Sequence, residues 1–109
     1  MKDTLAPPIA AYIDASNGRN AEALIACFTP EAIVVDEGHT YHGTAEIREW
    51  LARTVAAYAF TLEATQAAEQ GSETVVTCHV SGTFDGSPIQ VPFHFTLEGD
   101  KIAALTIGE

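Results

Sequence analysis

After Pro7-Pro8, the residues Ile9, Tyr12, Ile13 and Ser16 recur at the three- and four-residue spacing of one helical face, and Asn17-Gly18 ends the run. Asn20 is placed to cap a second, shorter helix whose apolar stripe holds Leu24 and Phe28, with Thr29-Pro30 as its stop. The β-branched triplet Ile33-Val34-Val35 then predicts a short strand running into Asp36-Glu37-Gly38, and a loop through His39, Tyr41 and His42 leads to Gly43. Gly43-Thr44-Ala45-Glu46 opens a third helix, carried by Ile47, Trp50, Leu51, Val55 and Tyr58 at helical spacing.

From about residue 58 the period changes from helical to alternating. Phe60, Leu62 and Ala64 alternate with Thr61, Glu63 and Thr65, and Gly71-Ser72 makes a turn. Val76, Cys78, Val80 and Phe84 form the apolar side of the next strand, and Ile89, Val91, Phe93, Phe95 and Leu97 that of the strand after it. Asp85-Gly86-Ser87-Pro88 joins those two into a hairpin, and Gly99-Asp100 leads to a last strand through Ile102, Leu105 and Ile107. Helices first and strands afterwards predict an α+β fold, a cone-shaped, curved antiparallel sheet covered by three N-terminal helices. Such a sheet can enclose a pocket, and the same inward side chains can equally fill a core.

A chain of 109 residues without repeat, low-complexity tract or linker predicts a single domain over 1–109, so any functional residues share one core. Apolar residues make up 47% and charged residues 18%, the balance of a globular protein rather than a disordered one. Five Lys and Arg stand against fifteen Asp and Glu, and the resulting net charge of -10 argues against nucleic acid and anionic membranes as partners. No apolar run approaches the roughly 20 residues that span a bilayer, and Met1-Lys2-Asp3-Thr4 lacks a secretory apolar region, so the expected location is the cytoplasm. Cys27 and Cys78 each sit inside an apolar pattern and read as small buried hydrophobes. With no Cys-x-x-Cys or His-x-x-x-His spacing, neither a metal nor another cofactor is expected.

Four ordered segments carry a family resemblance: Tyr12 to Asn20, Leu24 to Ala32, Val34-Val35-Asp36, and His42-Gly43-Thr44-Ala45-Glu46-Ile47-Arg48-Glu49-Trp50. Together they resemble the nuclear-transport-factor-2-like superfamily, and within it the SnoaL-like polyketide cyclases and the ketosteroid isomerases. That superfamily holds isomerases, cyclases, dehydratases, epoxide hydrolases and domains that only bind or dimerise, so the site must decide the function. The resemblance implies that Tyr12 stands where the isomerases keep an oxyanion-stabilising tyrosine, and Asp36 where they keep the proton-shuttling aspartate. A carboxylate in an apolar cavity is a better base, and a phenol can hydrogen-bond a developing enolate. Phe93 falls where the isomerases place a protonated aspartate, and it cannot donate; one lost donor of that kind costs about 2.7 to 4 kcal/mol of transition-state stabilisation. The segment from Asp36 to Gly43 is also shorter than in those enzymes.

The expected ligand is a small apolar or carbonyl-containing molecule. Asp36 and Tyr12 are the catalytic candidates, with His39, three residues beyond Asp36, as a second proton carrier. Tyr41, Trp50, Tyr58, Phe60, Val80, Phe84, Phe93 and Phe95 are the candidate lining of the pocket. Each has a plainer reading: Asp36 as a turn cap, Tyr12 and Trp50 as core, His39 and His42 as solvated histidines, Phe93 as cavity filling. Arg48 and Arg53 are expected in surface ion pairs. With two or four loop residues in the Asp85–Pro88 turn, Phe84 faces Ile89, Val80 faces Phe93, and His79 faces His94 on the outer side of the sheet. That face is the expected homodimer interface. A non-catalytic ligand-binding or dimerisation module is the alternative function.

Overall fold

The computed structural model describes residues 5–54, 60–82 and 86–108. Helix α1 spans Pro7–Asn17, with proline in its first turn, where a missing N–H costs nothing. Helix α2 covers Ala21–Ala26, and the Asn20 side chain accepts a hydrogen bond from the Ala23 N–H, as a cap should. Here the sequence reading needs a correction. Phe28 is the first residue of strand β1, Phe28–Asp36, and not the end of the helix; Thr29 and Pro30 lie within that strand. Proline is tolerated there because the register between β1 and β6 shifts over the segment from Phe28 to Ile33.

A second correction concerns the residues after Asp36. His39–His42 is strand β2 rather than a loop, paired with β1 so that Asp36 stands opposite His39 and Val34 opposite Tyr41. The connection is a two-residue turn in which Glu37 has φ 54° and Gly38 φ 78°, the left-handed pair of a tight hairpin whose twist matches its strands. Helix α3 follows at Gly43–Thr54, and the Glu46 side chain accepts from the His42 N–H at 2.7 Å. Val55 and Tyr58, read as its continuation, lie outside the described residues.

Strands β3 (Phe60–Gln70), β4 (Glu73–Gly82), β5 (Ile89–Glu98) and β6 (Lys101–Ile107) complete one six-stranded sheet in the order β2-β1-β6-β5-β4-β3. The α+β architecture of helices on a curved sheet holds, but the sheet is not antiparallel throughout as expected. The last strand inserts between β1 and β5 and runs parallel to β1, so the sheet is mixed. The inner face carries Val34, Leu62, Val76, Cys78, Val80, Phe93, Phe95 and Leu105, all buried against Ile9, Tyr12 and Ile13 of α1, Leu24 of α2, and Ile47, Trp50 and Leu51 of α3. Both cysteines are buried and free. Asn17 ties α1 to the sheet, its Oδ1 accepting from the Leu62 N–H at 2.7 Å while its Nδ2 donates to the Leu62 carbonyl at 3.0 Å.

The β4–β5 register also differs from the expectation. Val80 pairs with Ile89, Val76 with Phe93 and Val75 with His94, so His79 stands opposite Gln90 and does not face His94. The connection between Gly82 and Ile89 is longer than a tight turn, and it is braced by the Gly82 N–H donating to Ser87 Oγ at 2.8 Å. Each added loop residue moves the first possible pair, and with it every pair along the hairpin. His94 instead approaches Glu73, with Nδ1 3.3 Å from Oε1. The expected pairing of Phe84 with Ile89 and the residues Thr83 to Asp85 fall outside the described residues.

Candidate active site

Asp36 closes β1 on the inner side of the sheet, because Val34, two residues before it, is fully buried and side chains alternate along a strand. Pairing places His39, Asp36, Ile107, Phe93 and Val76 in one row across five strands. Asp36 and Phe93 are thus two strand spacings apart, about 10 Å, with Ile107 between them. The neighbouring row runs through Tyr41, Val34, Leu105 and Phe95.

The Asp36 carboxylate does not cap its turn. Helix α3 packs over β1 and brings Trp50 against it, so that the indole Nε1–H donates to Asp36 Oδ2 at 2.9 Å. Trp50 is 3% exposed, and a buried indole N–H needs an acceptor. Among the described residues no donor reaches the other oxygen, Oδ1. Sequence reasoning placed Trp50 in the pocket lining or the core without finding this bond. The signal was present in principle: an indole on the buried stripe of α3 requires an acceptor, and Asp36 is an acidic side chain at the end of the strand that the helix covers.

Tyr12 lies deeper, in an aromatic cluster. Its ring meets Phe28 edge-on at 6.0 Å and Phe95 edge-on at 5.6 Å, and lies tilted against Phe93 at 6.3 Å. Phe93 and Phe95 stack on each other at 6.2 Å. Burial pushes the Tyr12 phenol far above its ordinary value, with further contributions from the nearby charges of Cys78, Asp36 and Cys27. The phenol therefore keeps its proton at any physiological pH and can only act as a neutral hydrogen-bonding group. Burial likewise pushes the Cys78 thiol up to about 12, so it is no nucleophile at neutral pH.

The other candidates separate by depth. His39 is exposed at the rim, its Nδ1 3.2 Å from the Glu37 carbonyl, and its ring stacks on Tyr41 at 6.5 Å. Tyr41 is half-buried and its ring centroid lies 6.3 Å from that of Trp50, so His39, Tyr41 and Trp50 form a continuous aromatic wall that ends on Asp36. Val80 is buried, and Phe60 is half-buried at the start of β3, on the far side of the sheet from Asp36. Tyr58 and Phe84 lie outside the described residues. His42 projects to the opposite face of β2 and meets Glu31 at 3.1 Å, away from this group. Arg48 pairs with Glu22 on the surface, as the sequence suggested.

A cavity of about 310 Å³ opens elsewhere, between α1 and β3, lined by Ile13, Asp14, Asn17, Leu62 and Glu63 among others. Among the described residues, none of the sequence-predicted site residues borders it. Among the described residues no three His, Cys, Asp or Glu side chains gather into a group that could hold a metal ion, and no helix is long and apolar enough to cross a membrane.

Comparison with known proteins places this geometry in context. No curated protein matches the chain in sequence. Among solved structures, a candidate polyketide cyclase from Sinorhizobium meliloti is 31% identical and superposes with a TM-score of 0.92, over 98% of each chain. A protein of ketosteroid isomerase-like fold from Catenulispora acidiphila, solved in complex with trimethylamine, is 26% identical with a TM-score of 0.82, over 97% of this chain and 87% of that one. The epoxide hydrolase/cyclase-like enzyme SalBIII, of pyran-ring formation in the polyether salinomycin, shares the fold at 23% identity and a TM-score of 0.81, over 99% of this chain and 93% of its own. The model of the SnoaL-like domain family matches residues 9–105, and the chain belongs to that family, within the nuclear-transport-factor-2-like superfamily.

Proposed function

We propose that the chain is a single-domain small-molecule pocket protein that moves a proton next to a carbonyl, an isomerase- or cyclase-type activity with Asp36 as base. The observation that carries this reading is the Asp36 carboxylate, held on one oxygen by Trp50, on the inner face of the sheet and close enough for its charge to raise the Tyr12 phenol. Asp36 takes a proton from the carbon beside the carbonyl, and the electron pair passes to the carbonyl oxygen. A neutral phenol stabilises that oxygen as a donor, and Asp36 then returns the proton to the substrate. Tyr12 is the donor in this scheme and His39 a second proton carrier at the rim. Tyr41 and Trp50 form walls. The step is balanced without a cofactor. The similarity to a candidate polyketide cyclase supports a carbonyl-bearing substrate.

The test is hydrogen–deuterium exchange into a panel of small ketones and β-dicarbonyls in D2O. Wild type should exchange the acidic carbon position, and Asp36→Asn should lower that rate by roughly 10²- to 10⁴-fold. Equal rates in the two proteins would remove Asp36 as base.

A second reading has its own observation. Phe93, 4% exposed, stacks on Phe95 and leans on Tyr12, filling the floor where a second oxyanion donor would have to stand. On that reading the domain binds or dimerises without catalysis. In either case a homodimer through the outer face of the sheet is part of the proposal, supported by Ile33, which is 41% exposed on that face. Sedimentation equilibrium of wild type against Ile33→Glu tests it, with a monomeric wild type as the adverse result. The cytoplasm remains the proposed location.

A further inference from the structure

Among the described residues, Asp36 has a donor on one oxygen and none on the other, and the group that makes this distinction is fixed by packing rather than by solvent. Trp50 sits on the buried stripe of α3 with Ile47 and Leu51, and its ring is flanked by Tyr41 of β2. An indole held on these sides can offer its N–H along one direction only. A carboxylate otherwise turns freely about its last side-chain bond, since that torsion is broad. The single bond of 2.9 Å to Oδ2 therefore sets the plane of the carboxylate and leaves Oδ1 without a donor among the described residues.

We infer that Trp50 is the positioning residue of the site: its indole N–H pins Asp36 Oδ2 and presents Oδ1 as the one oxygen free to take a proton. The inference rests on the proposed role of Asp36 as base, and it adds which oxygen works and what holds it. Among the described residues, the other titratable groups facing Asp36 are His39 across the strand pair, Tyr12 from α1, Tyr41 two residues along β2, and Glu37 next in the chain. Tyr12 stays protonated throughout, so it cannot mimic the titration. Glu37 and His39 are exposed at the rim, and they are distinguished by substitution.

Trp50 is the sole tryptophan of the chain, so the indole N–H gives one resonance in a proton–nitrogen correlation spectrum. In the wild-type protein that resonance should move through a single inflection on acidification, as the carboxylate it touches gains a proton. The inflection should vanish in Asp36→Asn and persist in Glu37→Gln and His39→Gln. A resonance that stays flat while the protein is folded, or an inflection that survives Asp36→Asn, overturns the inference. This measurement needs no substitution at Trp50 and no substrate. It decides the positioning role even if Asp36-dependent exchange into carbonyl compounds is never seen, an outcome that removes the catalytic reading alone. Where exchange is seen, Trp50→Phe should lower its kcat by about 10²-fold, far more than it raises KM, because the base is still present but no longer aimed. An unchanged kcat in a folded Trp50→Phe protein also overturns it.

Discussion

Trp50 Nε1 stands 2.9 Å from Asp36 Oδ2, so a residue in the middle of the third helix and one at the end of the first strand share a hydrogen bond. The bond couples the packing of α3 to the chemistry of the sheet. A tryptophan placed for burial alone would present its N–H to a backbone carbonyl or to water. Here the acceptor is a carboxylate, and the stability of the helix contact and the orientation of the acid depend on the same pair of atoms.

Asp36→Asn and Asp36→Ala should therefore behave differently. Asparagine keeps an oxygen for the indole and should change stability by less than about 1 kcal/mol. Alanine leaves the buried N–H without an acceptor and should cost about 1 to 3 kcal/mol. Urea unfolding of the two variants at pH 7 measures the difference, and equal losses would mean that the bond contributes nothing to the fold.

Stability should fall in alkali. Cys78, with no exposed surface, has its thiol pushed up to about 12 by burial, and Tyr12 is raised further still. Both groups keep their protons in the folded chain while the unfolded chain releases them near pH 9 and 10. Between those values and the folded ones the unfolded state binds fewer protons, so stability is complete below about pH 8 and declines as pH rises, by about 1.4 kcal/mol per pH unit for each group in play. Urea midpoints from pH 8 to 11 should show this slope. Cys78→Ala should reduce it by one group's share, and an unchanged slope in that variant would contradict the assignment.

Phe93→Ala tests how far the aromatic floor closes the site. Removing a buried phenylalanine that touches both Tyr12 and Phe95 should cost about 3 to 5 kcal/mol and open an apolar space beside the phenol. Indole or benzene should then bind the variant and not the wild type, read by a ligand-dependent rise in the thermal midpoint. Equal binding by both proteins would show that the wild-type floor is already open.

Much of this architecture was legible in the sequence because it is written in short-range periods. The helical spacing of Ile9, Tyr12 and Ile13 and the alternation of Val76, Cys78 and Val80 each follow from one element burying one face, and all six residues are buried where the pattern puts them. The four ordered segments from Tyr12 to Trp50 were sufficient for the family. Errors gathered where a local pattern was too short to speak. Phe28 completes a helical stripe with Leu24 as naturally as it begins a strand, and only pairing with Ile102 of β6 resolves the choice. His39 to His42 carries just four residues, and its strand is formed by the partner it finds in β1.

The tertiary structure alone decided the rest. The sequence shows that a last strand exists, but its insertion between β1 and β5 depends on which edges remain unpaired once the helices have packed. The register that parts His79 from His94 is set by a connection whose length no alternation records. The sequence alone marks Asp36 as an acid at a strand end and Trp50 as an aromatic on a buried stripe. That the two meet is a property of α3 lying across β1, because a hydrogen bond between residues distant in sequence is selected by packing and leaves no period in the chain.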